Sequence, residues 1–358
     1  MLFRSELDIY FVYMDQRGTG CSTRFPIGAS AQTIERLKWY GSSGIVNDAE
    51  ILRQKLIGDK KWKVFGQSFG SHVVHRYIKM FPASISKAYA HGYPEGPGDF
   101  DFSFSRIASE GAVLNSYLAT HNSDRARLKV LNTFLSDRSK CYKNGTSEYC
   151  GFENLTSLTY LLGFREDWST FHSWLVYIVP TDFVVEENLK DYTSKLTSKY
   201  FFYHDAPQID ENSLANLDIS LNFIGISDTN SSPIDYDKCI AIYKKMETVY
   251  KIKSSDMLLN ECQAPVQFAF RDQLRVLLSN RINDESSNLI KLEDIKATLS
   301  RNHISFYLYS GGLDSFVPKD LFVLESKSLG SLVNYTNFSE SGHDGYVTEK
   351  KVFIDLAN

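Results

Sequence analysis

The sequence lacks long apolar segments and a strong excess of charge of either sign. Its longest strongly apolar stretches, such as residues 174–179, are far shorter than the roughly 20 residues that a membrane-spanning helix requires. Glu6 and Asp8 interrupt the region where the apolar core of a signal peptide would lie. The formal net charge is −4, which argues against a nucleic-acid-binding surface. We expect no membrane span and no nucleic-acid partner. The chain as given favours a cytoplasmic protein, and export stays open if a longer N-terminus carries a signal peptide.

Metal-binding patterns are absent as well. The sequence contains no C-x-x-C, and no pair of histidines at helical spacing with a nearby carboxylate. His72 and His75 lie three residues apart on a predicted helix, but no third ligand accompanies them. We therefore interpret them as surface or packing residues, and we expect neither a metal nor a cofactor.

The five cysteines allow two interpretations. In an oxidising compartment Cys141 could pair with Cys150 across a short polar loop, and Cys239 with Cys262, which would leave Cys21 unpaired. In a reducing compartment all five would be unrelated thiols. The sequence favours neither.

The length and the pattern of apolar residues predict a large α/β core. With 358 residues, of which 43% are hydrophobic, the chain is long enough for two domains or for one domain with an insertion. Short apolar runs alternate with amphipathic segments at both ends of the chain, which is typical of a parallel sheet with crossover helices. The predicted strands are residues 8–14, 62–65, 88–91, 303–309 and 332–338. The predicted helices are residues 46–56, 71–80, 289–299 and 321–329.

The middle of the chain is predicted to be mainly helical, with helices at residues 112–118, 126–135, 155–162, 168–179, 236–250 and 266–278. We therefore predict an α/β fold with a mostly parallel sheet flanked by helices, in which residues 1–93 and 285–358 form the core and residues 94–284 a helical cap. The strand at residues 8–14 is apolar almost throughout and is expected to be buried on both faces. Val64, Phe65 and Tyr307 are also expected to be buried.

One short motif carries a chemical prediction. Residues 66–70, Gly-Gln-Ser-Phe-Gly, match the pattern G-x-S-x-G, with a predicted strand before them and a predicted helix after them. In this context small residues permit a tight strand-to-helix turn that lifts the serine hydroxyl above the sheet. We predict that Ser68 is a nucleophile; the alternative is a turn rich in glycine and serine.

A serine nucleophile needs a base and a carboxylate that orients the base. Asp314 follows the predicted strand at residues 303–309, and His343 follows the predicted strand at residues 332–338. The order Ser68, Asp314, His343 matches the chain order of such a triad on a parallel sheet. We predict that these residues form a catalytic triad; a histidine that caps a turn is the alternative. Asp344 is adjacent to His343 and poorly placed to orient its ring. The remaining histidines are interpreted as structural: His91, His121, His172, His204 and His303.

These motifs resemble those of the proline iminopeptidase family of α/β hydrolases. The resemblance lies in Asp-Gln-Arg-Gly-Thr-Gly-Cys-Ser at residues 15–22, Lys-Trp-Lys-Val-Phe-Gly-Gln-Ser-Phe-Gly at residues 61–70, Gly-Leu-Asp at residues 312–314 and Ser-Gly-His at residues 341–343. It implies an α/β-hydrolase fold and a serine aminopeptidase activity that needs no cofactor.

The resemblance also assigns roles to residues. It makes Ser68, Asp314 and His343 the nucleophile, the orienting acid and the base. The backbone N–H of Phe69 is left as one donor of the oxyanion hole. Asp15 and Arg17 would be structural and would hold the loop beside the site.

The chain departs from that family in two places. Ser71 stands where the family usually has another glycine. The His-Gly-Gly-Pro-Gly loop that supplies the other half of the oxyanion hole in the family is absent, and so are the strands before it. Because the strand at residues 8–14 is of the kind that has neighbours, we expect that the sequence lacks its N-terminal strands. A decayed relative is the alternative.

The expected function is a serine aminopeptidase that cleaves the N-terminal residue from peptides through an acyl-enzyme on Ser68. An esterase or lipase-like α/β hydrolase and a non-catalytic protein of the same fold are the alternatives. An aminopeptidase must hold the free ammonium group of its substrate, so acidic residues of the cap are candidates. None is assigned among Glu153, Glu166, Asp167, Glu186, Glu187 and Glu261.

Overall fold

The computed structural model describes residues 2–4, 10–23, 39–95, 102–137, 139–144, 147–155, 158, 161–199 and 290–357. The strands are β1 (Leu2–Arg4), β2 (Tyr10–Val12), β3 (Trp62–Gln67), β4 (Ile85–His91), β5 (Cys141–Asn144), β6 (Ser147–Cys150), β7 (Ser305–Gly311) and β8 (Val333–Phe338). The α-helices are α1 (Ser42–Ile57), α2 (Phe69–Met80), α3 (Phe102–Thr120), α4 (Asp124–Leu135), α5 (Trp168–Ile178), α6 (Glu186–Lys199), α7 (Leu292–Asn302), α8 (Lys319–Leu329), α9 (Gly345–Thr348) and α10 (Lys350–Ala357). Short 3₁₀ segments are Pro82–Ser84, Gly151–Leu155, Arg165–Asp167 and Gly330–Leu332.

The central sheet consists of β3, β4, β7 and β8 in that order, and each strand is parallel to the strand beside it. Parallel neighbours need a crossover connection, which α2 supplies between β3 and β4 and α8 supplies between β7 and β8. Strand β4 lies beside β7, with Ala88 opposite Phe306. The sheet is thus assembled from segments that are far apart in the sequence.

The two faces of the sheet pack against different helices. Ala88 and Ala90 of β4 belong to a buried cluster with residues of α1, α2, α7 and α8. Tyr89, which points to the other face, packs with Tyr309 and with Val352 of α10. Because side chains alternate along a strand, this division follows from the period of two in β4. The predicted fold class, a parallel sheet flanked by helices, is confirmed.

The prediction for residues 8–14 is wrong in its main point. Of the described residues 10–14, Tyr10–Val12 form a strand, and they pair in antiparallel fashion with β1 in a separate two-stranded sheet. The side chains of Tyr10 and Tyr13 are 62% and 65% exposed. An apolar aromatic run therefore marked a strand here without marking its burial. Residues 8 and 9 lie outside the described residues.

The predicted burial of Val64, Phe65 and Tyr307 is also wrong. Phe65 is 37% exposed, and Val64 and Tyr307 are half-buried. Among the described residues β3 has a strand partner on one side only, so part of its surface faces solvent. Phe65 packs against Tyr346, with ring centroids 5.7 Å apart.

The described part of the predicted cap has its own buried cluster, which extends from Val113 to Tyr192 and includes Leu131, Phe171 and Leu175. This separate cluster supports the proposed division into a core of residues 1–93 and 285–358 and a cap of residues 94–284.

Helices α3, α4 and α5 cover the predicted helices at residues 112–118, 126–135 and 168–179. The hairpin β5–β6 and helix α6 are additions that the sequence did not indicate. The predicted helices at residues 236–250 and 266–278 lie outside the described residues. No helix in the described part of the chain is both long and apolar enough to cross a bilayer.

The cysteines follow the first interpretation as far as they are described. Cys141 and Cys150 form a disulfide across the β5–β6 hairpin. Cys21 is a free, exposed thiol. Cys239 and Cys262 lie outside the described residues.

Candidate active site

Ser68 lies in the turn between β3 and α2 with a backbone φ of 55° and ψ of −124°. A positive φ is strained for a residue with a side chain, so the turn must be held by its surroundings. The Ser68 N–H donates to the carbonyl of His91 at 2.7 Å. A Cβ on Gly66 would lie 1.9 Å from the carbonyl oxygen of Gly70, whereas a Cβ on Gly70 would meet open space. The turn thus leaves no room for a side chain at Gly66, whereas a side chain at Gly70 would meet no steric clash.

Ser71, the mild departure from the family motif, has a definite partner. Its hydroxyl donates a short hydrogen bond to the carbonyl of Tyr93, and its side chain is buried. Tyr93 belongs to the segment that leaves β4 beside the turn at Ser68. The serine therefore ties this segment to helix α2.

Asp314 lies just beyond β7 and is almost completely buried. Its Oδ1 accepts the N–H groups of Phe316 and Val317 at 2.8 and 3.0 Å. Its Oδ2 lies 2.7 Å from Nδ1 of His343. A carboxylate can only accept hydrogen bonds, so this contact places a proton on Nδ1 and leaves Nε2 of His343 as the acceptor.

The loops that carry the acid and the base are joined by their backbones. The Gly312 N–H donates to the carbonyl of Phe338 at 2.7 Å, and the Leu313 N–H donates to the carbonyl of Ser341 at 3.0 Å. Both bonds continue the β7–β8 pairing past the ends of the strands. The predicted neighbourhood of Asp314 and His343 thus follows from the register of two adjacent strands.

His343 is also attached to the strand that leads to Ser68. Nε2 of Gln67 donates to the His343 carbonyl at 3.0 Å, and a Cβ on Gly92 would lie 3.2 Å from Cε1 of the His343 ring. The structure brings the acid and the base together and holds the histidine loop against the end of β3. Among the described residues no hydrogen bond joins the Ser68 hydroxyl to His343, so the serine–histidine step stays a prediction.

Phe69 is the first residue of the 12-residue helix α2. An N–H in the first turn of a helix has no carbonyl partner within that helix, and the helix dipole favours negative charge there. The Phe69 N–H is thus suited to the oxyanion role that the resemblance implies. This role also stays a prediction.

Asp15 and Arg17 hold the loop after β2, as the resemblance implies. The Arg17 guanidinium donates to both carboxylate oxygens of Asp48 at 2.8 and 2.5 Å and to the carbonyl of Trp39 at 2.8 Å. The Asp15 carboxylate accepts the Cys21 N–H at 3.0 Å. The role of Asp48 is not predictable from the sequence, because a partner 31 residues away leaves no local pattern.

His72 and His75 are packing residues and do not lie at the surface. Both are buried, and each meets a carboxylate: Nδ1 of His72 lies 2.5 Å from Glu95, and Nε2 of His75 lies 2.7 Å from Glu325. The second carboxylate oxygen of Glu325 accepts the Glu95 N–H at 2.8 Å. The two pairs therefore form one buried network beneath the turn at Ser68.

The charge of His75 follows from its two contacts. Its Nδ1 faces the carbonyl of Ser71 at 2.8 Å, while Nε2 faces Glu325, so both ring nitrogens meet acceptors. Burial lowers the pKa of His75, but the charge and hydrogen bond of Glu325, the charge of Glu95 and the hydrogen bond to the Ser71 carbonyl together outweigh burial and raise the pKa to about 9. His91 shows the opposite case, because burial lowers its pKa to about 3 and its ring nitrogens have no partner among the described residues.

Among the described acidic residues of the cap, Glu166 lies against the histidine loop. Its carboxyl group interacts with that of Asp344, the residue after His343. Burial raises the pKa of Asp344, and Glu166 raises it further, to about 7. Glu186 and Glu187 instead pair with Lys140 and Lys190 near the β5–β6 hairpin. The side chain of Glu153 and all of Glu261 lie outside the described residues. The described residues contain no cluster of three ligating side chains that could hold a metal ion.

The parallel sheet between helical layers, the positive-φ serine after β3, and the acid and histidine after β7 and β8 define an α/β-hydrolase fold. No family model matches the chain. A proline iminopeptidase of Aeromonas sobria is 38% identical over 86 residues, which cover 22% of this chain and 20% of that protein. This match confirms the resemblance to the proline iminopeptidases, although the chain spans only a small part of that relative.

The fold of this chain is also similar to solved structures, with TM-scores below 0.4 for the two described next. A proline iminopeptidase of Mycobacterium smegmatis aligns with a TM-score of 0.39 and 12% sequence identity. The alignment covers 96% of this chain and 76% of that protein. An α/β fold family hydrolase of Bacillus anthracis str. Sterne aligns with a TM-score of 0.37 and 16% sequence identity. That alignment covers 96% of this chain and 79% of the hydrolase.

Proposed function

We propose that the chain is a serine hydrolase that removes the N-terminal residue from peptides, as a proline iminopeptidase does. The observation that carries the proposal is the hydrogen bond between Asp314 and His343, formed at the strand ends beside the strained turn of Ser68. The partial match to a proline iminopeptidase supports the choice of substrate class.

The geometry supports an acyl-enzyme mechanism. Nε2 of His343 would take the proton of the Ser68 hydroxyl as its oxygen attacks the carbonyl carbon of the first peptide bond. The Phe69 N–H would donate to the oxyanion that forms. The His343 proton then passes to the departing amine, the C–N bond breaks, and an ester to Ser68 remains. Water attacks this ester, again with His343 as the base, and releases the N-terminal residue.

Asp314 keeps the histidine in the tautomer that this sequence of steps needs. Two backbone N–H groups and the His343 ring together occupy both of its carboxylate oxygens. Since these donors stabilise the charged carboxylate, Asp314 is suited to offset the charge of an imidazolium. No step requires a cofactor.

The test compares three substrates: a proline arylamide, the same arylamide with an acetylated N-terminus, and a short acyl ester. We expect cleavage of the free proline arylamide and much slower cleavage of the acetylated one, because an aminopeptidase needs the ammonium group. Ser68→Ala should abolish turnover of all three.

Other outcomes would change the proposal. Fast ester cleavage without arylamide cleavage would favour an esterase. Equal rates with and without the acetyl group would contradict an aminopeptidase. No Ser68-dependent turnover of any substrate would favour a non-catalytic protein.

A further inference from the structure

The chain that leaves β4 runs along the turn of the proposed nucleophile. Residues 92–95 follow β4 and lead toward the cap, and we call them the exit segment. At the end of β4 the His91 carbonyl accepts the Ser68 N–H at 2.7 Å. Two positions further on, the Tyr93 carbonyl accepts the Ser71 hydroxyl. The exit segment thus continues the pairing of β3 with β4 past the ends of both strands.

The last contact in this series is a buried pair of side chains. Nδ1 of His72 lies 2.5 Å from Oε1 of Glu95, the final residue of the exit segment. Burial raises the pKa of Glu95, but nearby positive charge, first that of His72, outweighs burial and lowers this pKa. An ionised carboxylate only accepts hydrogen bonds, so Nδ1 of His72 donates to it. Loss of the donor would leave a buried carboxylate without its partner, which is costly.

The backbone of Glu95 attaches the exit segment to a second helix. Its N–H donates to Oε2 of Glu325 on α8 at 2.8 Å. Oε1 of Glu325 lies 2.7 Å from Nε2 of His75 on α2. The end of the exit segment is therefore fixed through its side chain to α2 and through its backbone to α8.

The imidazole of His72 also contacts the residue proposed for the oxyanion hole. Its ring centroid lies 5.7 Å from that of Phe69 and 6.2 Å from that of Tyr93 in the exit segment. Because Phe69 follows Ser68 directly, a shift of His72 would be transmitted to the nucleophile and to the N–H beside it.

The first residue of the exit segment lies against the proposed base. Gly92 has a φ of 76°, and a Cβ there would lie 3.2 Å from Cε1 and 3.4 Å from Nδ1 of His343. The Gly92 N–H donates to the Tyr309 carbonyl of β7 at 3.2 Å. Four consecutive residues thus contact the base at one end and the helix of the nucleophile at the other.

We propose that the exit segment sets the position of Ser68 relative to His343, and that the pair of His72 with Glu95 holds the segment against α2. His72 and Glu95 are positioning residues in this proposal, since both are buried and act through the backbone. The inference rests on the proposed roles of Ser68 and His343 as nucleophile and base.

The test compares two replacements of His72 that differ in one hydrogen-bond donor. In His72→Asn the amide nitrogen stands where Nδ1 stands in histidine and can donate to Glu95. His72→Leu has a similar shape but no donor. Both variants lose the imidazole ring and its Nε2 contact with Ser42 at 3.4 Å, so their comparison isolates the contact with Glu95.

The rate of covalent labelling by a fluorophosphonate probe is measured below the melting temperature of every variant. The rate in His72→Leu should be at least about tenfold lower than in His72→Asn, because small misplacements of a catalytic group reduce rates strongly. Hydrogen exchange of the peptide that contains Ser68 should be at least about tenfold faster in His72→Leu, because the turn opens more readily.

A second variant tests the exit segment without changing the buried pair. Ser71→Ala removes the hydrogen bond to the Tyr93 carbonyl and suits a helix, so the protein should stay folded. Its labelling rate should be at least about threefold lower than that of the wild type. Ser116→Ala is the matched control, since this exposed serine bonds to Ala112 within its own helix, and its rate should not change.

Equal labelling rates in folded His72→Leu and His72→Asn would overturn the proposal, because the pair would then contribute to stability alone. If His72→Leu does not fold, a wild-type rate in Ser71→Ala would overturn it. A wild type that is never labelled would contradict the proposed function, and this inference with it. A labelled wild type that does not cleave proline arylamides would change the substrate class, and the labelling rates would still decide the inference.

Discussion

The core and the cap are stabilised by contacts of different range. In the core, β4 pairs with β7, and Lys63 donates to the Leu356 carbonyl at 2.8 Å across 293 positions of sequence. In the described part of the cap, the buried cluster lies between Val113 and Tyr192, and the disulfide closes a separation of 9 residues. The cap can therefore form from local contacts, whereas the sheet needs both ends of the chain.

This difference matters because the proposed acid and base belong to the core but are touched by the cap. Asp314 and His343 are set by the pairing of β7 with β8, and their loops are then braced by Ser109 and Gly163. Changes in the core should thus remove the site, and changes in the cap should weaken it. The following predictions test this comparison, beginning with the largest effect.

Asp314→Asn should reduce turnover by about 10⁴-fold while the protein stays folded. The amide can still lie beside the imidazole, but it can present an N–H to Nδ1 and favour the wrong tautomer. The measurement is kcat/KM with the proline arylamide, together with the circular dichroism spectrum. Asp320→Asn, on the exposed start of α8, is the control and should change neither. Near-full activity of Asp314→Asn would show that the acid is misassigned.

Glu325→Gln should destabilise the core in a pH-dependent manner. The pKa of His75 is raised to about 9 from its ordinary value of 6.5, so the ion pair stabilises the fold fully below pH 6.5 and loses this contribution as the pH rises through 9. The shift corresponds to about 3 kcal/mol of unfolding free energy. Urea unfolding should show this difference from the wild type at pH 6 and almost none at pH 9.5.

The exposed residue Glu293 on α7 offers a control for this charge, since Glu293→Gln should leave the unfolding free energy nearly unchanged at both pH values. If Glu325→Gln costs the same at pH 6 and pH 9.5, then His75 is not charged in the folded protein. The lost stability would in that case come from packing alone.

Replacing Cys141 and Cys150 by serine should affect the cap more than the core. Removing a disulfide that closes a loop of this length increases the entropy of the unfolded chain and so lowers the free energy of unfolding by about 2–3 kcal/mol. Hydrogen exchange should accelerate in α4 and α6 and stay unchanged in β4 and β7. Cys21→Ser, which removes an exposed free thiol, is the control. Equal acceleration in the central sheet would show that cap and core unfold together.

The sequence predicted those features that leave a local pattern. The helices at residues 46–56 and 71–80, the strands of the central sheet and the turn at Ser68 each show a periodicity or a motif within a few residues. The proximity of Asp314 to His343 followed from the rule that parallel strands end at one edge of a sheet. The hydrogen bond between their side chains agrees with that reasoning.

Features that depend on distant partners were not predictable. His75 was assigned to packing or to the surface, because its partner Glu325 lies 250 positions away. The antiparallel pairing of β2 with β1 was missed, because an apolar run does not specify its neighbour. The contact of Glu166 with Asp344 depends on how the cap lies against the core, which no pattern in either segment records.

The most direct test of the central claim is to locate the covalent adduct of a fluorophosphonate probe by peptide mapping. The account predicts a single adduct on Ser68 in the wild type, none in Ser68→Ala, and almost none in His343→Ala, because the hydroxyl is unreactive without its base. An adduct on another serine, or labelling of Ser68 at an equal rate in His343→Ala, would contradict the assignment of Ser68, Asp314 and His343 as the catalytic triad.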